Sequence, residues 1–313
     1  MVVLMIGEID PVDVWFATLM AELKQGMPNV DLRVWPECGN PEDIDVALAW
    51  KPPLGILPKL PNLQLIISLG AGVEHILRDP DLPSQIPIAR MVYPGQISQM
   101  VEYVTLAVLL FQRGFLDYQQ LQKLRRWEYL PVPDTQSFTV GILGLGVMGS
   151  TVAKRLRAIG FPVRGWSRTP KAIVGIDCFH GSEQLELFLS KCRVLVCLLP
   201  LTPATEGILN LDTFSNLPQG GYLINVARGK HLVEADLLTA LDSGQIRGAC
   251  LDTFGTEPLP ETHPFWPHPH IIVTPHISAP GIPSDVAAQI IDNIERCQTG
   301  RPLKNVVDLN RGY

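Results

Sequence analysis

The run that most constrains this chain lies near its middle: FTVGILGLGVMGSTVAKRLRAIG, residues 138–160. A continuous apolar stretch runs straight into Gly144, Gly146 and Gly149 at G-x-G-x-x-G spacing, and an amphipathic helical pattern follows. Gly144 permits a tight strand-to-helix turn. Gly146 lets a pyrophosphate approach the backbone, and Gly149 lets the helix pack close to the strand. With Leu145, Val147 and Met148 between them, these residues form the predicted phosphate cradle, to which the helix N-terminus presents N–H groups. A tight turn without a ligand is the alternative, and the strand before it and the helix after it argue against that reading.

Short apolar runs alternate with helix-like segments on both sides of this fingerprint. Before it come VVLMIG, DLRVW, DVALAW, LQLIISLG and PIARMV. An amphipathic stretch, Val12 to Leu23, follows the first, with Asp10 read as its N-cap and Pro11 as its first residue. From Phe138 onward come FTVGILG, PVRGW, RVLVCLL, GYLINV, IRGACLD and HIIVTP. Helical segments are expected near 148–159, 182–190 and 233–243. Continuous apolar strands separated by helices predict parallel sheets covered on both faces. The predicted fold class is therefore α/β, with two doubly wound parallel-sheet domains, which 313 residues are enough to build. Residues 97–126 read as one long helix bridging the two, and a last helix is expected over 284–298.

Bulk properties exclude more than they identify. The chain is 46% hydrophobic and 18% charged, an ordinary globular composition, and its net charge of −6 gives no reason to expect nucleic acid or an anionic membrane. Its 6 cysteines form no CxxC pair, and no His cluster has metal-ligand spacing, so no metal is expected. Reduced, mostly buried thiols in a cytoplasmic protein are the expectation. The N-terminus lacks a basic signal-peptide region, and no apolar stretch is long enough to span a bilayer.

The segment FPVRGWSRTP, residues 161–170, poses a question. It has the place of the second strand and turn of a dinucleotide-binding unit, where an acid about 20 residues beyond the glycines accepts the ribose 2′-OH. Here the turn carries Ser167, Arg168 and Thr169. Ser167 removes the repulsion that a carboxylate exerts on a 2′-phosphate. Arg168 can pair with that phosphate, and Thr169 or Lys171 adds donors. The expected cofactor is NADP(H), with NAD(H) the weaker alternative. A solvated turn is the bland reading.

Ligands in open α/β sheets bind beyond the carboxyl ends of the strands. At those ends stand Arg228 after GYLINVA, Asp252 and Glu257 after IRGACL, and His276 after HIIVTP. Arg228, Glu257 and His276 make chemical sense as a set. An Arg clamps a carboxylate or polarises a carbonyl oxygen, and a His protonates that oxygen as it becomes an alkoxide. A Glu beside the His fixes its orientation and tautomer and favours imidazolium. Together they describe a carbonyl reductase. Singly, each has a structural alternative: a surface ion pair for Arg228, a solvated loop acid for Glu257, a satisfied buried histidine for His276.

In order and spacing, SLGAGVEHI, VGILGLGVMG, LLPLTPATEGILN, INVARG, LDTFGTEPLP and TPHISA resemble the D-isomer-specific 2-hydroxyacid dehydrogenase family along nearly the whole chain. AWKPP, the WSR turn and HPFWPHP resemble its glyoxylate/hydroxypyruvate reductase A branch. The resemblance implies a Rossmann cofactor domain over 98–281, set between two segments, 1–97 and 282–313, of a flavodoxin-like substrate domain, with a cleft between the domains. It gives Arg228, Glu257 and His276 the catalytic roles. It assigns the substrate carboxylate to the backbone of Gly70, Ala71, Gly72 and Val73, and places Trp50 at the substrate pocket. Leu199, Pro200 and Thr205 would shape the cofactor groove, with Val226 also against the cofactor, Ala227 and Asp252 near the nicotinamide and Ser278 beside His276. A small 2-oxo acid would be the substrate and a homodimer the assembly. The same fold and triad acting on another 2-oxo acid, or a dinucleotide-sensing binding protein, are the alternatives.

Overall fold

A computed structural model describes residues 1–8, 13–309 and 311–313. The chain divides into two compact units, Met1–Gln96 with Gly281–Tyr313, and Ile97–Pro280. In chain order the first unit contributes β1 (Val2–Gly7), α1 (Val14–Gly26), β2 (Asp31–Val34), β3 (Ile44–Trp50), β4 (Leu65–Ser68), α2 (Glu74–Leu77) and β5 (Ile88–Ala89). Helix α3 (Pro94–Gln112) carries the chain from one unit into the other. The second unit continues with α4 (Phe115–Lys123), β6 (Val140–Leu143), α5 (Val147–Ala158), β7 (Val163–Ser167), β8 (Asp177–His180), α6 (Leu185–Leu189) and β9 (Val194–Cys197). It is completed by α7 (Leu211–Ser215), β10 (Gly221–Asn225), α8 (Glu234–Asp242), β11 (Ile246–Leu251) and β12 (Ile271–Val273), before α9 (Pro283–Gln298) returns to the first unit.

The first unit is a parallel sheet of 5 strands in the order β2-β1-β3-β4-β5, which is the flavodoxin-like order. Because side chains alternate along a strand, one apolar run fills two cores. Val3 and Met5 face α1 and α9, where Phe16, Leu19 and Leu23 meet Val286, Ile290 and Ile294. Leu4 and Ile6 face the opposite layer with Ile76 of α2. The expected cap at Asp10 and Pro11 lies outside the described residues. Helix α1 is capped by Asp13, whose carboxylate accepts from the Trp15 N–H at 2.8 Å.

The second unit is a parallel sheet of 7 strands in the order β12-β11-β10-β9-β6-β7-β8, the Rossmann order extended by one strand. One face packs Leu143, Leu195, Leu223 and Leu251 against Phe188, Phe214 and Leu237 of the helices α6 to α8. The other packs Ile142, Val196 and Ile224 against α5 and against Val104, Val108 and Phe111 of α3.

Three expectations change. The single helix over 97–126 is two helices, because Gly114 adopts a left-handed φ of +65° between α3 and α4. Strand β8 was not expected: DCFH is a half-exposed edge strand, paired only with β7, and lacks the continuous apolar run of a central strand. Helix α7 was also missed, since it is 5 residues long and announced mainly by its Asn210 cap.

All 6 cysteines are free. Burial pushes the thiols of Cys192 and Cys197 up to about 12 and that of Cys250 up to about 11, so these three are inert packing residues. Among the described residues no His, Cys, Asp or Glu cluster is arranged to hold a metal. No described helix is long and apolar enough to cross a membrane.

Candidate active site

Strand order places a crevice in each sheet where neighbouring strands diverge in direction of progression. In the second unit that point lies between β6 and β9, which pair with Leu143 opposite Cys197. Gly144 therefore emerges beside Leu198, at φ +103°, and a Cβ on it would sit 2.7 Å from the Leu198 carbonyl oxygen. Gly149 is still tighter: a Cβ there would lie 1.8 Å from the Gly144 carbonyl oxygen. At Gly146 a Cβ would meet nothing within 4 Å. The two outer glycines are thus required by packing, whereas Gly146 borders open space at the start of α5. That is the cradle a pyrophosphate needs. Leu145 is buried and packs on Gly165, while Val147 is exposed and Met148 partly buried against the core.

At the end of β7, Ser167 is buried, and its hydroxyl donates to the Thr169 carbonyl at 2.9 Å. Its donor is spent on the turn, so the exposed side chains there are Arg168, Thr169 and Lys171. Beyond β9, Leu199 is buried and Thr205 ties the loop together, donating to the Pro200 carbonyl at 2.7 Å and accepting from Thr202 N–H at 2.9 Å. Val226 and Ala227 are buried after β10.

Arg228 follows them. Its guanidinium donates to the Ala227 carbonyl at 2.7 Å. Its N–H donates to His231 Nδ1 at 3.2 Å, and Asn225 Nδ2 donates to its carbonyl at 3.0 Å. The sequence reading missed His231, which is fully buried. With Nδ1 accepting, its Nε2–H points to the Pro200 carbonyl 3.3 Å away. One imidazole thereby joins the Arg228 backbone to the loop after β9. Its position three residues beyond Arg228 is the only sequence signal for it.

Glu257 and His276 meet directly: Glu257 Oε2 lies 3.0 Å from His276 Nδ1, and both are partly exposed. Glu257 Oε1 accepts from the Phe254 N–H at 3.0 Å, which fixes the carboxylate. His276 has a left-handed φ of +57°, a conformation that costs a non-glycine residue about 1–3 kcal/mol. Asp252 holds the segment in place. This fully buried carboxylate accepts from Thr274 Oγ1 at 2.6 Å and from the N–H groups of Ile277 and Ser278 at 2.8 Å each. It thus brackets His276 on both sides. Behind Thr274 stands Tyr103 of α3, its hydroxyl 2.5 Å from Thr274 Oγ1. Burial and the adjacent Cys250 raise the Tyr103 pKa, so the hydroxyl keeps its proton. Neither Tyr103 nor Thr274 was singled out from sequence, because the contact spans 171 residues.

In the first unit, Trp50 ends β3 and the turn Gly70–Val73 follows β4. The structure brings them together: a Cβ on Gly70 would lie 2.6 Å from the Trp50 ring. The Trp50 ring also leans on His75, with centroids 5.0 Å apart. The Gly70 N–H is taken by Ser68 Oγ at 3.2 Å. Among the described residues, no acceptor takes the N–H of Ala71, Gly72 or Val73. Three adjacent free amides beside an aromatic ring suit a carboxylate.

A family model of the D-isomer specific 2-hydroxyacid dehydrogenase NAD binding domain matches residues 105–278. Glyoxylate/hydroxypyruvate reductase A of Photorhabdus laumondii is 47% identical over 296 residues, covering 93% of this chain and 94% of that protein. The protein of the same name from Serratia proteamaculans is 45% identical over 299 residues, 94% of this chain and 95% of that protein. Among solved structures, a D-isomer specific 2-hydroxyacid dehydrogenase from Xanthobacter autotrophicus in complex with NADPH and MES superposes with a TM-score of 0.91 at 41% identity, covering 100% of this chain and 99% of that one. An NADPH-dependent glyoxylate/hydroxypyruvate reductase from Sinorhizobium meliloti, in complex with NADP and sulfate, gives a TM-score of 0.91 at 36% identity over the same shares, 100% and 99%.

Proposed function

The chain belongs to the D-isomer specific 2-hydroxyacid dehydrogenase family, and on that premise we propose that it uses NADPH to reduce small 2-oxo acids, glyoxylate to glycolate and hydroxypyruvate to D-glycerate. The observation that carries the reading is the Glu257–His276 pair, held at 3.0 Å on the carboxyl edge of the Rossmann sheet. Relatives named glyoxylate/hydroxypyruvate reductase A support the substrate class.

NADP(H) fits the residues present. The Gly144–Gly149 turn would hold its pyrophosphate against the start of α5, and Arg168, Thr169 and Lys171 would meet its 2′-phosphate. Leu199, Pro200, Thr205 and Val226 would line its groove, with Ala227 and Asp252 near the nicotinamide and Ser278 beside His276. Bound there, it supplies the hydride that reduces the substrate's carbonyl carbon, and NAD(H) would do so less well.

The chain's own groups do the rest. The N–H groups of Ala71, Gly72 and Val73 receive the substrate carboxylate, and Trp50 borders the pocket. Gly70 shapes the turn but has no N–H to offer. Arg228 polarises the carbonyl oxygen. His276 binds Glu257 through Nδ1, which leaves Nε2 to give its proton to that oxygen as it becomes an alkoxide. Asp252 keeps His276 in its strained backbone conformation throughout.

We propose a homodimer as well. Leu106, Leu109, Phe115, Leu124, Trp127 and Tyr129 leave an apolar surface along α3, α4 and the segment after them. The free, largely inert thiols support a cytoplasmic setting. The substrate claim is tested by comparing kcat/KM with NADPH across a ladder of 2-oxo acids. Glyoxylate and hydroxypyruvate should exceed phenylpyruvate by about tenfold or more. Equal or better use of phenylpyruvate would overturn the small-acid assignment.

A further inference from the structure

We propose that Ser68 and Arg90 are positioning residues, which hold the Gly70–Val73 turn so that three backbone amides converge on the substrate carboxylate. The inference rests on the reading of that turn as the carboxylate receptor. Neither side chain belongs to the fingerprint or to the strand-end triad.

Three consecutive carbonyls of the turn are each pulled in by a donor. Gly70 O accepts from the Met91 N–H at 3.0 Å. Ala71 O accepts from Arg90 Nη1 at 3.3 Å, and Gly72 O accepts from Ser68 Oγ at 2.9 Å. A peptide unit is planar, and in its trans form the C=O and N–H point in opposite directions. The partners of these carbonyls are the N–H groups of Ala71, Gly72 and Val73, the three that no described residue accepts. Fixing each carbonyl therefore fixes the direction in which the N–H of the same peptide unit points.

The turn needs this external hold. Gly70 and Gly72 have no side chain to restrict them, and neither is among the glycines locked at positive φ. Ser68 spans the turn, donating to Gly72 O while accepting from the Gly70 N–H. It is fully buried, so it acts through the turn and does not touch a ligand. Arg90 is itself braced. Gln289 of α9 donates to its carbonyl at 2.8 Å, and its N–H donates to the Asn305 carbonyl at 3.1 Å. The C-terminal segment thus stiffens the receptor through Arg90. Preoriented amides lose no ordering entropy when the anion arrives.

The test combines steady-state kinetics with calorimetric binding of oxamate, an inert 2-oxo acid analogue, to the NADPH-loaded protein. Ser68→Ala should raise the KM for glyoxylate and the Kd for oxamate by about tenfold, with kcat and the KM for NADPH within about twofold. Ser68→Thr keeps the hydroxyl and should restore most of the affinity. Arg90→Gln should act in the same direction, with Arg90→Lys intermediate. Reduction of methylglyoxal, which lacks the carboxylate, should not respond to any of them. Unchanged oxamate affinity in both Ser68→Ala and Arg90→Gln, or a parallel loss of kcat and both KM values, would overturn the inference. Gly72→Pro deletes one receptor amide and separates the two claims. If it weakens oxamate while the other variants do not, the receptor stands and the positioning role falls. If it has no effect in a variant that melts normally, the receptor itself is wrong and the inference falls with it.

Discussion

The molecule contains two glycine-bearing turns between a strand and a helix, and they are built on opposite principles. At Gly144–Gly149 the backbone shapes itself: Gly144 is left-handed at φ +103°, and Gly149 lies against the Gly144 carbonyl with no room for a Cβ. At Gly70–Val73 the glycines are not left-handed, and the shape is imposed by Ser68, Arg90 and Met91. On the proposed reading, a dinucleotide would be met by a turn whose geometry is local. A 2-oxo acid would be met by amides that distant residues must aim.

Removing the proposed proton donor gives the largest expected effect. His276→Gln should lower kcat by about 10²–10⁴ while leaving the NADPH KM nearly unchanged. A larger change in KM than in kcat would move His276 from proton donor to binding residue. Next comes the self-shaped turn. Gly149→Ala drives a Cβ into the Gly144 carbonyl and should cost about 1–3 kcal/mol, read as a lower melting temperature. Gly70→Ala meets only the edge of the Trp50 ring. It should melt closer to the parent but raise the KM for glyoxylate, and equal melting losses would erase the contrast between the turns.

Arg168→Ala probes the cofactor side. Loss of a charge-assisted bond should raise the KM for NADPH by about 10–100-fold and that for NADH far less. Equal effects would remove Arg168 from the 2′-phosphate site. The smallest expected change is Tyr103→Phe, which loses the bond to Thr274 and should cost about 1 kcal/mol of stability with little effect on KM.

The same contrast explains what could be read from the sequence. The Rossmann strands and the fingerprint were legible because each is a local pattern: an apolar run, then glycines at fixed spacing. Arg228, Glu257 and His276 could be singled out because a parallel sheet sends every strand's carboxyl end to one edge. Strand β8 was not legible because half of it faces solvent, and α7 because 5 residues carry no helical period. The break at Gly114 was hidden inside an otherwise unbroken helical pattern. Asp252 was expected near the nicotinamide, but its bonds to Thr274, Ile277 and Ser278 lie across 22 to 26 residues and had no sequence signature. Ser68, Arg90 and His231 were missed for the same reason. Each acts by hydrogen-bonding a carbonyl, and the direction of a carbonyl is not written in side-chain identity.

This chain is proposed to reduce a small 2-oxo acid with NADPH. The most direct test follows the near-ultraviolet absorbance of the reduced cofactor as purified protein meets glyoxylate, with NADPH and NADH compared at equal concentration. Loss should be rapid with NADPH and slow with NADH. Faster loss with NADH would contradict the reading of the Ser167–Arg168 turn, and no loss with either, repeated with hydroxypyruvate, would contradict the function itself.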